Sequence, residues 1–490
     1  MWKKYIPIFT VLIIAVFFRT YHLKTLPPGL YPDEAMNGSN GLTAIHTGDF
    51  KVFYPENNGR EGLFINLQAL LVKWSGVREP WVLRSVSSLF GILTVLGMYF
   101  LGKELFSKRI GLLASFLLAT NFLHINFSRI GFRAIMAPAF AVWGLYFFIR
   151  ALRQDRTRPA SILAILAGAV FGLGLHSYIA YRVMPALIVL VTAYFLVFEK
   201  NRRVETLKKT ALFIVAALIV FAPLGMYFLE NPGDFFGRTS QVSVFSSTSP
   251  LAGLGLNIAK TLGMFNVIGD YNWRHNISGK PELYLPVGLL FLAGIVLAIK
   301  KFFKKSSWSA GQVLPVGILL SWFGLAMLPV IISNEGLPHA LRAILMLPPV
   351  MFFSALGGNA LFDLFLSKVK EPSKELWSRR IISFFAALIL ANAYVSYFIV
   401  WGKNPEVQNA FAANYTAIAR KLNSLPREVP KYVVVEAGGV LVNGIPMPSQ
   451  PIMFMTDTFR KEEQTEKNIF YVLPEKRNAI PDNASVFVID

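Results

Sequence analysis

The chain has 490 residues, of which 54% are hydrophobic and only 16% charged, against roughly 25% charged in ordinary globular domains. That balance, with a mean hydropathy of +0.49, excludes a water-soluble enzyme, a disordered chain and a collagen-like repeat. The lack of cysteine removes disulfides, thiol nucleophiles and cysteine-held metal sites, and the formal charge of +20 has to be explained by where the basic residues sit.

A bilayer core of roughly 30 Å asks for about 20 mostly apolar residues per crossing helix. Such runs lie near residues 5–21, 81–101, 110–125, 134–149, 160–175, 179–198, 210–229, 283–299, 313–333, 340–365 and 381–401. They predict a polytopic α-helical membrane protein with about eleven transmembrane helices. The first, third and fifth have the shortest apolar cores. The first run follows Lys3 and Lys4 and ends at Arg19-Thr20-Tyr21-His22 with no small-residue cleavage site, so it reads as an uncleaved anchor.

Basic residues fill alternate connections: Lys3 and Lys4, then Lys103 to Arg109, Arg150 to Arg158, Lys200 to Lys209, Lys300 to Lys305 and Lys368 to Arg380. The short connections between them hold only Arg129, Arg133, Arg182 and Arg342. The positive-inside rule then places the N-terminus in the cytoplasm and the C-terminus outside a plasma membrane. The net charge is thereby a topology signal, and no nucleic-acid partner is implied.

Three predicted outer segments are long: 22–80, 230–282 and 402–490. In the first, Leu63, Leu67, Leu70 and Trp74 recur at helical spacing, and in the second so do Leu254, Ile258, Leu262 and Phe265. Both are read as helices lying in the membrane interface or packed on the bundle. Residues 1–401 form the transmembrane domain and 402–490 a small extracytoplasmic α/β domain. The latter has an amphipathic helix over Val407 to Leu425 and β-like runs at Tyr432–Val435, Ile469–Leu473 and Ser485–Ile489.

All six histidines fall on the predicted outer side, which is where chemistry is expected. Pro27-Pro28-Gly29-Leu30-Tyr31-Pro32-Asp33-Glu34 approaches the membrane stiffly, and Pro32 biases Tyr31 toward an extended backbone. Asp33 then has two readings, an N-cap for the following helix with Glu34 in its first turn, or a rigidly held general base. Glu56-Asn57-Asn58-Gly59-Arg60-Glu61 mixes acid, amide and guanidinium groups. It reads either as a solvated loop or as the wall of a sugar site, where amides and carboxylates take hydroxyl hydrogen bonds. Arg129, Arg133, Arg182 and Arg342 either snorkel to lipid phosphates or hold a substrate phosphate in a bidentate grip. No His-x-x-His or His-x-x-x-His pair exists, so no metal site is assigned and no cofactor is implied; a divalent cation finds no support in the sequence. Walker A, GxSxG and HExxH patterns are absent as well.

Taken in order, Asp33-Glu34, Glu56 to Phe64, Leu83-Arg84-Ser85, Asn126 to Arg133, Tyr178 to Arg182 and Pro338 to Arg342 make the chain resemble the C-type (GT-C) membrane glycosyltransferases. Within these it is most similar to the bacterial and archaeal branch of the dolichyl-phosphate-mannose–protein mannosyltransferase-like family. The resemblance covers about residues 1–360 and fades in the tail. It implies inverting transfer of a sugar from a polyprenyl-phosphate or polyprenyl-diphosphate carrier to an acceptor protein, lipid or glycan at the outer face. Asp33 would be the base and Glu34 its neighbour, orienting the acceptor or the loop. Arg129, Arg133, Arg182 and Arg342 would bind the donor phosphate, and Glu56, Asn57, Arg60, His176 and Tyr178 the sugar or acceptor. In one respect the chain departs from the pattern: the loop between spans three and four carries Arg129 and Arg133 but no carboxylate, so the metal that some relatives hold there has no ligand from it. A lipid-linked glycan ligase or polymerase, and a transporter or flippase for lipid-linked sugars, share the spans and the outer arginines. A base in the first loop separates the transferase from the ligase. The two halves show no repeat and the span interiors lack ionisable residues for proton coupling, both of which weigh against transport.

Overall fold

The computed structural model describes residues 5–235, 244, 250–304, 310–333 and 336–490; Lys3, Lys4 and Lys305 of the predicted basic clusters lie outside the described residues. Among these residues, nine helices are long and apolar enough to cross a membrane: Pro80–Leu105, Arg133–Arg153, Thr157–Leu175, Ile179–Phe198, Lys200–Glu230, Leu285–Phe303, Val313–Ile331, Arg342–Ser367 and Lys374–Trp401. Each coincides with a run read from the sequence, and the chain is a multi-pass membrane protein. The other two runs are shorter as helices. Helix α1 (Ile6–Thr20) has 15 residues, roughly 22 Å at a rise of about 1.5 Å per residue. The run 110–125 is divided: Lys108–Thr120 stops at Asn121, whose side chain accepts the His124 amide at 3.0 Å and starts the separate helix Phe122–Phe127. Asparagine bonds to nearby backbone amides and so favours helix starts over helix interiors.

Between α1 and the next long helix lie α2 (Pro32–Thr47) and α3 (Gly62–Ser75), which pack on each other. The chain between them makes a small antiparallel pairing of Phe53–Tyr54 with Arg60–Glu61. Helix α4 (Pro80–Leu105) follows. It packs against α1, Lys108–Thr120 and Met136–Arg153, and the row continues through Thr157–Leu175 to Arg203–Glu230. Leu285–Phe303 and Leu347–Ser367 cross closely, and the second of them returns to Lys108–Thr120. At that crossing a Cβ on Gly357 would stand 2.1 Å from the Leu290 carbonyl oxygen, so only glycine lets the two backbones meet. Ile214, Val215, Leu218 and Ile219 are exposed along Arg203–Glu230, as expected where the apolar stretch of a helix faces hydrocarbon.

The amphipathic stretches of the two long loops are helical as α3 and as Pro250–Gly263, except that Phe265 lies in a turn beyond the second helix, and is buried. In the tail, the predicted helix 407–425 is two, Pro405–Ala410 and Ala413–Ser424, parted where Ala412 takes a φ of 50°. The three β-like runs pair as a parallel sheet with Lys431–Val435 between Ile469–Val472 and Ser485–Ile489. The tail does not stand apart from the rest. Leu30, Ala35, Leu42 and Val72 of the first loop share one apolar cluster with Tyr415, Val433, Phe454 and Ile489.

Two approaches are close: a Cβ on Gly29 would lie 2.4 Å from the Phe411 carbonyl oxygen, and one on Gly38 2.4 Å from Cδ2 of the fully buried Phe454 ring. Gly38→Ala is therefore expected to loosen the tail from α2 by about 1–3 kcal/mol, the usual cost of overpacking. Faster cleavage of residues 402–490 by added protease should report it, and the added mutation Phe454→Leu should restore resistance.

Candidate active site

The site is built on the start of α2. Pro32 occupies the first helical position, a favoured place because its missing N–H has no partner there in any case, and Tyr31 is the residue before it, extended at φ −69° and ψ 143°. The cap is thus Tyr31 and not Asp33. The helix begins two residues earlier than the capping reading requires, which puts Asp33 and Glu34 together in the first turn.

These adjacent carboxylates have opposite environments. Glu34 is fully buried and held by the Arg84 fork, Nε to Oε1 at 3.0 Å and Nη2 to Oε2 at 3.0 Å. It also accepts the backbone amides of Tyr31 at 3.2 Å and of Gly131. Arg84 uses its remaining donors on the carbonyls of Pro27 at 2.7 Å and Gly29 at 2.9 Å. Asp33 is partly exposed, and its Oδ1 accepts from the Asn57 side-chain amide at 2.7 Å.

Asn57 reaches Asp33 because Asn57, Asn58 and Gly59 take left-handed φ values of 52°, 65° and 77° in succession, a conformation that Asn and Gly tolerate best. Arg60 follows, buried, with Nη1 on Asn37 Oδ1 at 2.7 Å and Nη2 on Asn40 Oδ1 at 2.5 Å. Burial, reinforced by the nearby Arg133, brings its guanidinium down to about 10. Arg133 donates to Glu61 at 2.7 Å and stands 5.7 Å from the centre of the Tyr178 ring. The Oε2 atom of Glu56 is enclosed without a hydrogen-bond partner among the described residues. Asp33, Glu34, Asn57, Arg60, Arg133 and Tyr178 thus gather in one constellation, Arg60 joining Glu34 through Asn37 and the Gly131 peptide.

The other predicted residues are placed differently. Arg129 is fully buried, donating to the carbonyls of Phe18 at 3.0 Å, Tyr21 at 2.7 Å and Leu26 at 2.9 Å. It closes the end of α1 and is turned away from Asp33. Arg182 donates to the Phe235 carbonyl at 2.8 Å and lies against the rings of Phe228 and Phe235. His176 donates through Nε2 to the Val220 carbonyl at 2.9 Å. Arg342 donates to the Ser333 hydroxyl.

Two groups escaped the sequence reading. Arg274 lies 3.9 Å above the ring of Tyr31, two residues before Asp33. It sits in one of the long loops, whereas only the short connections stood out for their arginines. The second is a group formed by Asp270, His275 and His339, whose ligand-capable atoms all lie within 4.8 Å of one another. Its histidines are far apart in sequence, so no spacing motif reveals them. By contrast, the 128–133 loop presents the Gly131 amide and the Arg133 guanidinium to the carboxylates of the first loop; both are donors, and that junction does not fit a cation.

Over residues 63–227 the chain matches the dolichyl-phosphate-mannose-protein mannosyltransferase family. No curated protein matches it by sequence. Among solved structures it is similar to the Archaeoglobus fulgidus oligosaccharyltransferase in its apo form, with 17% identity and a TM-score of 0.56 over 93% of this chain and 64% of that one. It is also similar to oligosaccharyltransferase AglB of the same organism in complex with an inhibitory peptide and a dolichol-phosphate, at 16% identity and a TM-score of 0.54 over 96% and 64%. ArnT from Cupriavidus metallidurans bound to undecaprenyl phosphate gives 13% identity and a TM-score of 0.55 over 91% and 84%. The chain spans 64% of the length of the oligosaccharyltransferases it matches, and at these identities the likeness is one of fold.

Because Glu34 and Arg84 are both buried, Arg84→Met should destabilise the protein by about 3–5 kcal/mol, the cost of leaving a buried charge unpaired. Adding Glu34→Gln should recover part of that loss. Denaturant unfolding of the purified variants checks both.

Proposed function

On the premise that this chain is a multi-pass membrane protein of the GT-C glycosyltransferase fold, we propose that it transfers a sugar from a polyprenyl-phosphate or polyprenyl-diphosphate carrier to an acceptor hydroxyl, at the outer face of the membrane and with inversion. The observation that carries this reading is the division of the acidic pair. Glu34 is consumed by Arg84 and two backbone amides, while Asp33, one residue earlier, is partly exposed and oriented by Asn57 at 2.7 Å. A general base has to be both rigid and reachable, and Asp33 meets both conditions. Glu34 is a positioning residue, fixing the turn from which Asp33 projects.

In the proposed step the acceptor oxygen forms a bond to the anomeric carbon as the bond from that carbon to the phosphate oxygen breaks. The acceptor proton goes to the Asp33 carboxylate, and the electron pair leaves on the carrier phosphate. Phosphate departs without a protonating acid, so a single carboxylate suffices, unlike glycoside hydrolysis, where the leaving alcohol takes a proton. Charge growing on the phosphate is offset by cations near the mouth of the site. Arg133, Arg182, Arg274 and Arg342 are assigned to that role, and Arg129, consumed by three carbonyls, is released from it. Asn57, Glu56, His176 and Tyr178 are assigned to the sugar and acceptor side, and Arg60, held by Asn37 and Asn40, is released to bracing the turn behind them. Support for the lipid carrier comes from the similar folds that hold dolichol-phosphate and undecaprenyl phosphate.

Purified protein in vesicles, given a panel of polyprenyl-phosphate sugars and mixed acceptors, should release free polyprenyl phosphate. Asp33→Asn should lower that release by about 100- to 10,000-fold, the range of general acid–base contributions, while still binding donor. Wild-type rates in Asp33→Asn would remove the base from this reading.

A further inference from the structure

Outside the constellation around Asp33, the described residues hold one tight group of metal-capable side chains. Asp270 and His275 come from the loop before Leu285–Phe303, and His339 comes from the connection that precedes Leu347–Ser367. Asp270 Oδ2 lies 2.8 Å from His275 Nδ1, the imidazoles of His275 and His339 have centroids 5.2 Å apart, and one ligand atom from each residue falls within 4.8 Å of the others. Zinc bound to nitrogen and oxygen at about 2.0–2.1 Å in a tetrahedron holds its ligand atoms roughly 3.3 Å apart, a spacing that atoms within 4.8 Å of one another reach by side-chain adjustments of up to about 1.5 Å.

The surroundings are those of a prepared site. The Asp270 carboxylate is oriented by the amides of Asn272 at 2.8 Å and Ala340 at 2.9 Å. The Asp270 amide is in turn held by Glu282 at 3.0 Å. The Asn126 amide donates to the carbonyls of Arg274 at 2.7 Å and His275 at 2.9 Å, which sets the backbone that carries the ring. Phe127 and Phe132 pack on the His275 ring at 5.5 Å and 6.5 Å. Asp270 and His275 are buried and His339 is partly exposed, so an ion has a way in. Outer partners of this kind fix ligand orientation and raise affinity.

We propose that Asp270, His275 and His339 bind one divalent cation of the zinc class, and that this ion clips the loop bearing Arg274 to the connection bearing Arg342. Two imidazoles and one carboxylate are the donor set that zinc accepts, with a fourth position left for water or a ligand group. The clip joins segments that begin and end about 70 residues apart in sequence, and loop-closure entropy favours fastening such distant points with a single tie. Arg274, next in sequence to one ligand, and Arg342, three residues beyond another, are thereby fixed relative to Tyr31 and the first outer loop. The site is independent of the proposed sugar transfer and stands or falls without it.

The test uses untagged, chelator-washed full-length protein in detergent, titrated with Zn²⁺ alone and with Co²⁺ as a spectroscopic probe. Wild type is expected to bind one equivalent and to raise its thermal midpoint with Zn²⁺. His275→Gln and His339→Gln should weaken binding by more than about 100-fold, beyond the effect of losing a supporting partner, and should lose the midpoint rise, whereas His22→Gln, at an exposed histidine, should keep both. X-ray absorption of zinc-loaded wild type needs no variant to fold and should count two imidazoles. Absence of stoichiometric binding by wild type, wild-type affinity in both histidine variants, or a different imidazole count would overturn the site and leave Asp270–His275 as a hydrogen-bonded pair.

Discussion

The structure depends on a buried charge pair. Glu34 and Arg84 have side chains 0% and 1% exposed, and ions so placed are tolerable only when every donor and lone pair is met. Here the need is met from four stretches of chain: the backbone at 27–31, the first turn of α2, the first turns of α4 and the 128–133 loop. Satisfying one carboxylate therefore sets the register of these four stretches at one end of the bundle. Successive residues on a helix point about 100° apart. Locking Glu34 inward consequently turns Asp33 outward, where Asn57 meets it.

The arginines of this face divide along the same physical line. A guanidinium stays charged and presents five donors, so in a helical bundle it finds carbonyls at helix ends as readily as it finds phosphates. Arg129 ends α1, and Arg19 bonds to the Ala15 and Ala119 carbonyls while touching His124 at 2.6 Å. Arg60 braces α2 through two asparagines. Such residues stitch the frame. Arg133, Arg182 and Arg274 meet other partners: the Glu61 carboxylate, the Phe235 carbonyl and ring, and the Tyr31 ring.

The tail contributes by cover. It shares an apolar cluster with α2, α3 and α4 and presses Phe454 against Gly38. It is further tied through Asp457, which pairs with His46 at 3.2 Å, Arg78 at 3.0 Å and Lys467 at 3.2 Å. The Asp457 carboxyl feels burial, which works to raise it, yet the facing Lys467 and Arg78 bring it below the usual carboxylate range. The helix that presents Asp33 is thus held on one side by the bundle and on the other by residues 402–490.

Composition and periodicity settled a good deal. Apolar runs, repeated with basic residues in alternate gaps, dictate a multi-pass helical bundle because lipid accepts little else. The β-like runs of the tail emerged as strands because alternation and branching act locally. The acidic pair and the 56–61 turn were also legible, since proline, asparagine and glycine write their conformations into the sequence. What required the tertiary structure was the different setting of chemically similar side chains: Asp33 against Glu34, Arg129 against Arg274, and three metal-capable groups drawn from two connections. Those choices rest on burial and on partners a hundred residues away. The chain encodes them only through packing, which no local pattern displays.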